Sequence, residues 1–191
     1  MTRFISYLGS ILCLLSSILC ISTSQALASQ PNEAWILVDI DSAQLLVKRQ
    51  NKTVRTFENI AIGRGGAGKY RIRDDGKTPI GEFKVAWIGE DSQFHMFFGL
   101  NYPNLERIKR AYHSGEIDRR TYYRIWDALA LGEVPPQNTK LGGYLGIHGL
   151  GSRDPDMHRQ LNWTQGCIAL TNRQIEELSR WLKVGTKVVI R

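Results

Sequence analysis

From Trp35 onward apolar and polar positions alternate with a period of two, interrupted by short polar turns, and this pattern predicts strands. Trp35-Ile36-Leu37-Val38-Asp39-Ile40 is the first strand, Asp41-Ser42 a turn, and Gln44 to Arg49 the second strand. Asn51-Lys52 turns the chain again, and Thr53 to Ile62 alternates as a third strand. Turns this short join antiparallel neighbours. Gly63 to Pro79 reads as a flexible, glycine-rich hairpin loop, and Gly81 to Ile88 as a further strand.

In the second half the spacing lengthens toward that of helices. Leu105 to Tyr112 is predicted helical, stopping at Gly115. Asp118 has the side chain of an N-cap for a helix running to Leu131, with Gly132 just past its end. Pro135-Pro136 closes that region, and Tyr144 to Ile147 is a short strand entering His148. Gly149 to Leu161 reads as a loop with His158 on its surface. Thr171-x-x-Gln174 is a capping-box pattern, and the helix behind it puts Ile175, Leu178, Trp181 and Leu182 on one face. Gly185 ends it, and Thr186 to Ile190 is the last strand. The expected fold class is mainly β with inserted helices.

The N-terminus changes the compartment. Arg3 precedes an uncharged apolar run from Phe4 to Ile21, followed by polar residues and Ala26-Leu27-Ala28. That is the pattern of a signal peptide over residues 1–28, cut after Ala28; the alternative is an uncleaved anchor. Removal from 191 residues leaves 163, with 29–34 a short lead-in. The expected location is exported, in the periplasm or cell envelope.

Export alters the meaning of charge and cysteine. The mature chain carries 24 basic against 18 acidic residues, a net +6. Nucleic acid is scarce outside the cytoplasm, so the surface suits anionic envelope polymers. Cys13 and Cys20 leave with the leader, and Cys167 remains alone. A single thiol in an exported chain has no internal disulfide and points to a reactive group or an intermolecular pairing.

Two patterns mislead. Gly63-Arg64-Gly65-Gly66-Ala67-Gly68-Lys69-Tyr70 approaches a phosphate-binding loop, but Tyr70 stands where a small hydroxyl must ligate magnesium, and Arg71 to Pro79 is turn-rich. His148, His158 and Cys167 are spaced like none of the usual structural zinc sites. Neither a metal nor another cofactor is expected.

The informative residues are Gly146-Ile147-His148-Gly149 and Asn162-Trp163-Thr164-Gln165-Gly166-Cys167-Ile168-Ala169-Leu170. A strand delivers a histidine, and the mature thiol follows behind a glycine. A free thiol is only a few per cent thiolate at pH 7, so a nucleophilic cysteine needs a base such as imidazole. Amides of Gly166 and Cys167 are candidates for an oxyanion hole, and the carbonyl of Gly149 is a candidate partner to fix the His148 tautomer. The competing reading is a buried cysteine and a surface histidine that never meet.

These residues resemble the L,D-transpeptidase catalytic domain, or YkuD, family. Thr164-x-Gly166-Cys167 with His148-Gly149 upstream looks like its signature, and Thr78-Pro79-Ile80-Gly81-Glu82-Phe83 like its T-P-x-G-x-F segment. The resemblance spans residues 35–191 and implies a β-sandwich-like fold. It further implies that Cys167 attacks a peptidoglycan stem peptide to form a thioester, with His148 as base and Gly149 orienting it. An amine acceptor, from another stem or from an envelope protein, then gives transpeptidation. Water would give a carboxypeptidase or amidase on the same site, and a wall-binding module without catalysis is the remaining alternative. Two departures stand out. Ala169 occupies a position where many members carry arginine, as in a divergent branch with Gly-Cys-Ile-Ala-Leu; Arg153, Arg159 and Arg173 are candidate replacements. Residues 89–141 form a long helical insertion, whose Asn101 and Tyr102 are expected to face substrate together with Trp163 and Thr164. No oligomeric state follows from the sequence.

Overall fold

The computed structural model describes residues 33–191, so the signal-peptide reading and most of the lead-in lie outside the described residues. Strands β1 (Ala34–Asp39), β2 (Gln44–Arg49) and β3 (Lys52–Glu58) form an antiparallel meander. Leu45 and Val47 on β2 are buried at every second position, as one covered face requires. β3 ends earlier than the alternation suggests, because Asn59 turns into the left-handed region at φ 57°. Ile60, Ala61 and Ile62 then run inward and are buried.

The expected flexible loop instead holds a small parallel ladder between β4 (Ala67–Gly68) and β5 (Thr78–Pro79). Thr78 is fully buried, and its hydroxyl accepts from the Gly63 amide at 2.9 Å. β6 (Gly81–Ser92) and β7 (His95–Leu100) form a long hairpin. The insertion is therefore shorter than 89–141, since Gly89 to Leu100 belongs to the sheet and buries Phe98 and Leu100.

Helices α1 (Leu105–His113) and α2 (Arg119–Ala130) carry the helical part of the insertion. The side chains of Asn104 and Asp118 cap them, accepting from Arg107 N and Thr121 N. Ile108, Ala111, Ile117, Ile125 and Leu141 make a separate small core there. β8 (Gly146–His148) follows, then α3 (Pro155–Gln160), which forms where a loop was expected. Asp154 caps it and Pro155 starts it. β9 (Ile168–Ala169) leads to α4 (Asn172–Leu178), where both bonds of the Thr171–Gln174 capping box are present. A 3₁₀ turn over Ser179–Trp181 leads to β10 (Lys187–Ile190).

The sheet order is β3-β2-β1-β10-β6-β7-β8-β9. Its two ends are tied by the segment after β3: Ala61 and Ala169 exchange both backbone bonds, at 3.0 and 2.8 Å. The sheet thus returns on itself around one core. Ile36, Val38 and Leu45 line it from one end, Phe83, Val85 and Phe98 from the middle, and Ile147, Ile168 and Leu170 from the other end. Ile175, Leu178 and Leu182 cover it.

Candidate active site

Two buried isoleucines set the site. β8 and β9 are parallel, with Ile147 opposite Ile168 and His148 opposite Ala169. Both isoleucines are fully buried in the core. Side chains alternate between faces, so His148, one residue after Ile147, and Cys167, one residue before Ile168, share the opposite face. Both line a cavity of about 670 Å³ together with Tyr144, Arg153, Trp163 and Thr164.

His148 is buried against aromatic rings. The Phe94 centroid lies at 4.3 Å, Phe97 stacks at 5.8 Å, and Trp163 meets it edge-on at 5.8 Å. Its Nδ1 is 2.6 Å from the Gly149 carbonyl. A carbonyl only accepts, so Nδ1 carries the proton and Nε2 keeps its lone pair. Burial pulls the His148 pKa down to about 4; the Gly149 bond opposes this, and the charges of Arg153 and His158 reinforce it.

Cys167 is half-buried, and its S–H donates to the Tyr144 carbonyl at 3.5 Å. Burial pushes the thiol up to about 11, opposed by a bond from the Gly146 backbone and by the charge of Arg71. Near neutral pH this is a pair of neutral groups. A thiol in this setting would become reactive by giving its proton to an imidazole, not by resting with it as an ion pair.

The Thr164–Cys167 turn is braced from inside. Thr164 is buried; its hydroxyl donates to the Cys167 carbonyl at 2.7 Å and accepts from the Gly166 amide at 3.1 Å. Both bonds bear on the expectations for these residues: the Gly166 N–H is engaged within the turn, and the Thr164 hydroxyl is engaged with backbone although the residue lines the cavity. Gly166 sits at φ +117°, and a Cβ there would come within 2.4 Å of the Lys77 carbonyl. Only glycine fits.

Trp163 forms a wall, donating its ring N–H to His158 Nδ1 at 3.3 Å. His158 is buried, which corrects its expected surface position; α3 folds it inward beneath Trp163. Arg153 lies over the Trp163 ring at 4.6 Å and lines the cavity. Arg159 pairs with Asp156 on the surface, and Arg173 is exposed. Ala169 is fully buried.

Asn101 and Tyr102 do not reach this cavity. Asn101 accepts from the Lys84 amide at 2.7 Å and lines a different cavity, of about 840 Å³, beside Trp126. Tyr102 is buried, with its hydroxyl donating to the carbonyls of Arg71 and Leu141, both at 3.1 Å. They follow β7 at the open end of the β6–β7 hairpin, where Leu100 pairs with Val85, away from its turn. Among the described residues no group of three or more His, Cys, Asp or Glu is placed to hold a metal ion. Nor is any helix among them long and apolar enough to cross a membrane.

Sequence reasoning missed the Tyr144 carbonyl, the Gly146 amide and the Phe94–Phe97 wall. One signal existed: Gly142-Gly143 before Tyr144 marks unusual backbone, and Tyr144 itself adopts φ 52°.

Comparison with known proteins agrees with this architecture. The L,D-transpeptidase catalytic domain family, YkuD, matches residues 33–190. No curated protein matches the sequence. Among solved structures, Bd1075 of Bdellovibrio bacteriovorus is similar at 22% identity and TM-score 0.54, over 84% of this chain and 48% of that one. The helical cell shape determining protein Pgp2 of Campylobacter jejuni is similar at 20% identity and TM-score 0.54, over 85% and 48%. The chain therefore spans about half the length of these structures.

Proposed function

The chain belongs to the L,D-transpeptidase catalytic domain family, and from that premise we propose that it is an exported cysteine acyltransferase acting on peptidoglycan stem peptides in the periplasm or cell envelope. Cys167 is the nucleophile and His148 the base. His148 Nε2 takes the thiol proton while sulfur attacks the carbonyl of the L-centre in the third residue. The tetrahedral adduct collapses to a thioester, and the terminal D-Ala leaves as an amine that takes the proton back from the imidazolium. A second amine, on another stem peptide or an envelope protein, then gives its proton to His148 and displaces the sulfur. Gly149 keeps Nδ1 protonated throughout, and the Cys167 amide is a donor to the oxyanion.

The observation that carries this reading is one cavity lined by both Cys167 and His148, with His148 Nδ1 committed to Gly149 at 2.6 Å. Arg153 is the one charged side chain among the described residues lining that cavity. An otherwise aromatic and neutral cleft with one arginine favours a substrate that brings a carboxylate, as the free end of a stem peptide does.

The test uses residues 29–191 with disaccharide-tetrapeptide fragments and intact-mass detection. Dimers with loss of D-Ala, and an acyl adduct on Cys167, are the expected result. Loss of D-Ala without dimers assigns water as the acceptor and makes the protein a carboxypeptidase. Fragments left unchanged by wild type and Cys167→Ala alike refute the substrate assignment.

A further inference from the structure

We infer that Arg71 is a positioning residue for Cys167, and that the helical insertion holds Arg71 in place. The inference rests on Cys167 being the reactive group of the proposed site. It requires nothing about the acyl acceptor.

Arg71 lies between β4 and β5 and is 4% exposed. Among the described residues no carboxylate pairs with it at ion-pair distance. Its guanidinium is held by three backbone carbonyls from three parts of the chain. Nε donates to Lys77 at 2.9 Å, Nη1 to Leu141 at 3.1 Å and Nη2 to Gln165 at 3.2 Å. Lys77 belongs to its own loop, Leu141 follows the inserted helices, and Gln165 sits two residues before Cys167. The Arg71 guanidinium also lies over the Tyr102 ring at 5.5 Å, and a buried cation with carbonyls and one ring but no carboxylate is an expensive arrangement. A planar fork of donors at fixed angles makes such a three-way tie, and a lysine ammonium does not.

The surroundings are cut to fit the guanidinium. A Cβ on Gly142 would stand 2.2 Å from Arg71 Nη1, and one on Gly166 would stand 3.1 Å from Nε. The insertion grips the same residue from behind. The Arg71 carbonyl accepts from Tyr102 Oη at 3.1 Å and from Arg107 Nε and Nη2 at 3.2 and 3.0 Å. Arg107, itself buried on α1, is ion-paired with Glu116. A continuous line of polar contacts thus runs Glu116–Arg107–Arg71–Gln165 and ends at the nucleophile turn.

Two consequences follow. The clamp on the Gln165 carbonyl fixes the entry to Gly166-Cys167, so sulfur keeps its aim across the cavity. The fixed positive charge also favours the thiolate, against the burial that opposes it. Among the described residues the other charged or titratable groups on the cavity wall are His148, Arg153 and Tyr144.

The test measures alkylation of Cys167 in the full chain by iodoacetamide across pH, with circular dichroism to check folding. This readout needs no peptidoglycan. Arg71→Met is expected to slow alkylation at pH 7 by about tenfold or more, the loss of one charge-assisted contact, and to move the pH midpoint upward. Arg71→Lys should restore part of the midpoint but not the rate, because it keeps the charge and loses the fork. Glu116→Gln, remote from both Cys167 and Gln165, should slow the reaction in the same direction to a smaller extent. If Arg71→Met does not fold, Tyr102→Phe removes the hydroxyl's bonds to the Arg71 and Leu141 carbonyls and should give the same sign. Folded variants with an unchanged rate and pH profile overturn the inference. So does a lower melting temperature with an unmoved pH profile, since that is a structural role alone. Wild type inert toward muropeptides, with these alkylation effects intact, refutes the proposed substrate and supports the positioning role.

Discussion

Acidification should destabilise this protein through His148, by an amount the structure sets. The ring is enclosed by Phe94, Phe97 and Trp163, and its pKa falls from 6.5 to about 4. In the unfolded chain the imidazole takes a proton as pH falls through about 6.5, whereas in the folded state it stays neutral until about 4. The unfolded state therefore binds more protons in that window, and stability present above pH 6.5 is lost as pH falls toward 4. Each pKa unit is worth about 1.4 kcal/mol, so the full window amounts to about 3 kcal/mol. That is a large share of the 5–15 kcal/mol typical of a domain. Urea unfolding followed by tryptophan fluorescence at pH 7.5, 6.5, 5.5 and 4.5 gives the quantity directly. Wild type should lose stability steeply across this range. His148→Gln, which cannot titrate, should lose about 2.5 kcal/mol less over the same range, which stops short of the folded pKa. His158 is also held below its usual value by burial. Its contribution and those of the carboxylates occur in both proteins and cancel in the comparison. Equal pH slopes in the two proteins would refute the account of a neutral, desolvated His148.

The other predictions concern the nucleophile turn and its walls. Cys167→Ala should abolish turnover on tetrapeptide fragments while leaving the circular dichroism spectrum unchanged; retained activity removes Cys167 as nucleophile. Thr164→Val keeps the shape but deletes two buried hydrogen bonds, and should cost about 1–3 kcal/mol in urea unfolding and slow thiol alkylation. Arg153→Gln should raise KM for a tetrapeptide with a free C-terminus by about 10- to 100-fold. The same substitution should leave the C-terminal amide of that peptide nearly unaffected, and an equal effect on both peptides excludes a carboxylate contact. Asp118→Ala removes the cap of α2 and should lower stability by about 1 kcal/mol without altering thiol reactivity.

Much of the fold is local and therefore legible. The opening meander follows from alternation and short turns, and the capping residues Asp118 and Thr171 mark helix starts because they satisfy amides at hand. The length of the β6–β7 hairpin is not legible because Gly89-Glu90-Asp91-Ser92 reads as a polar turn, whereas β6 runs through it to Ser92. β9 is two residues long and exists only through its partners β8 and Ala61, so no window of sequence contains its cause. α3 and the burial of His158 were missed for a related reason: a six-residue helix has little pattern of its own, and Trp163 supplies the contact that turns it inward.

The sequence by itself determined the chemical groups available: the Cys167 thiol behind a glycine, a histidine at the end of a strand, and a strand-rich chain to carry them. Those are properties of residue type and near-neighbour spacing. Only the tertiary structure decided what the groups do to one another. The parallel β8–β9 register puts His148 and Cys167 on one face, and burial keeps both neutral. Thr164 takes the Gly166 amide, and the Tyr102 hydroxyl is spent on the carbonyls of Arg71 and Leu141. Each of these depends on residues far apart in the chain meeting in a low-dielectric interior, where partners and not composition set the electrostatics.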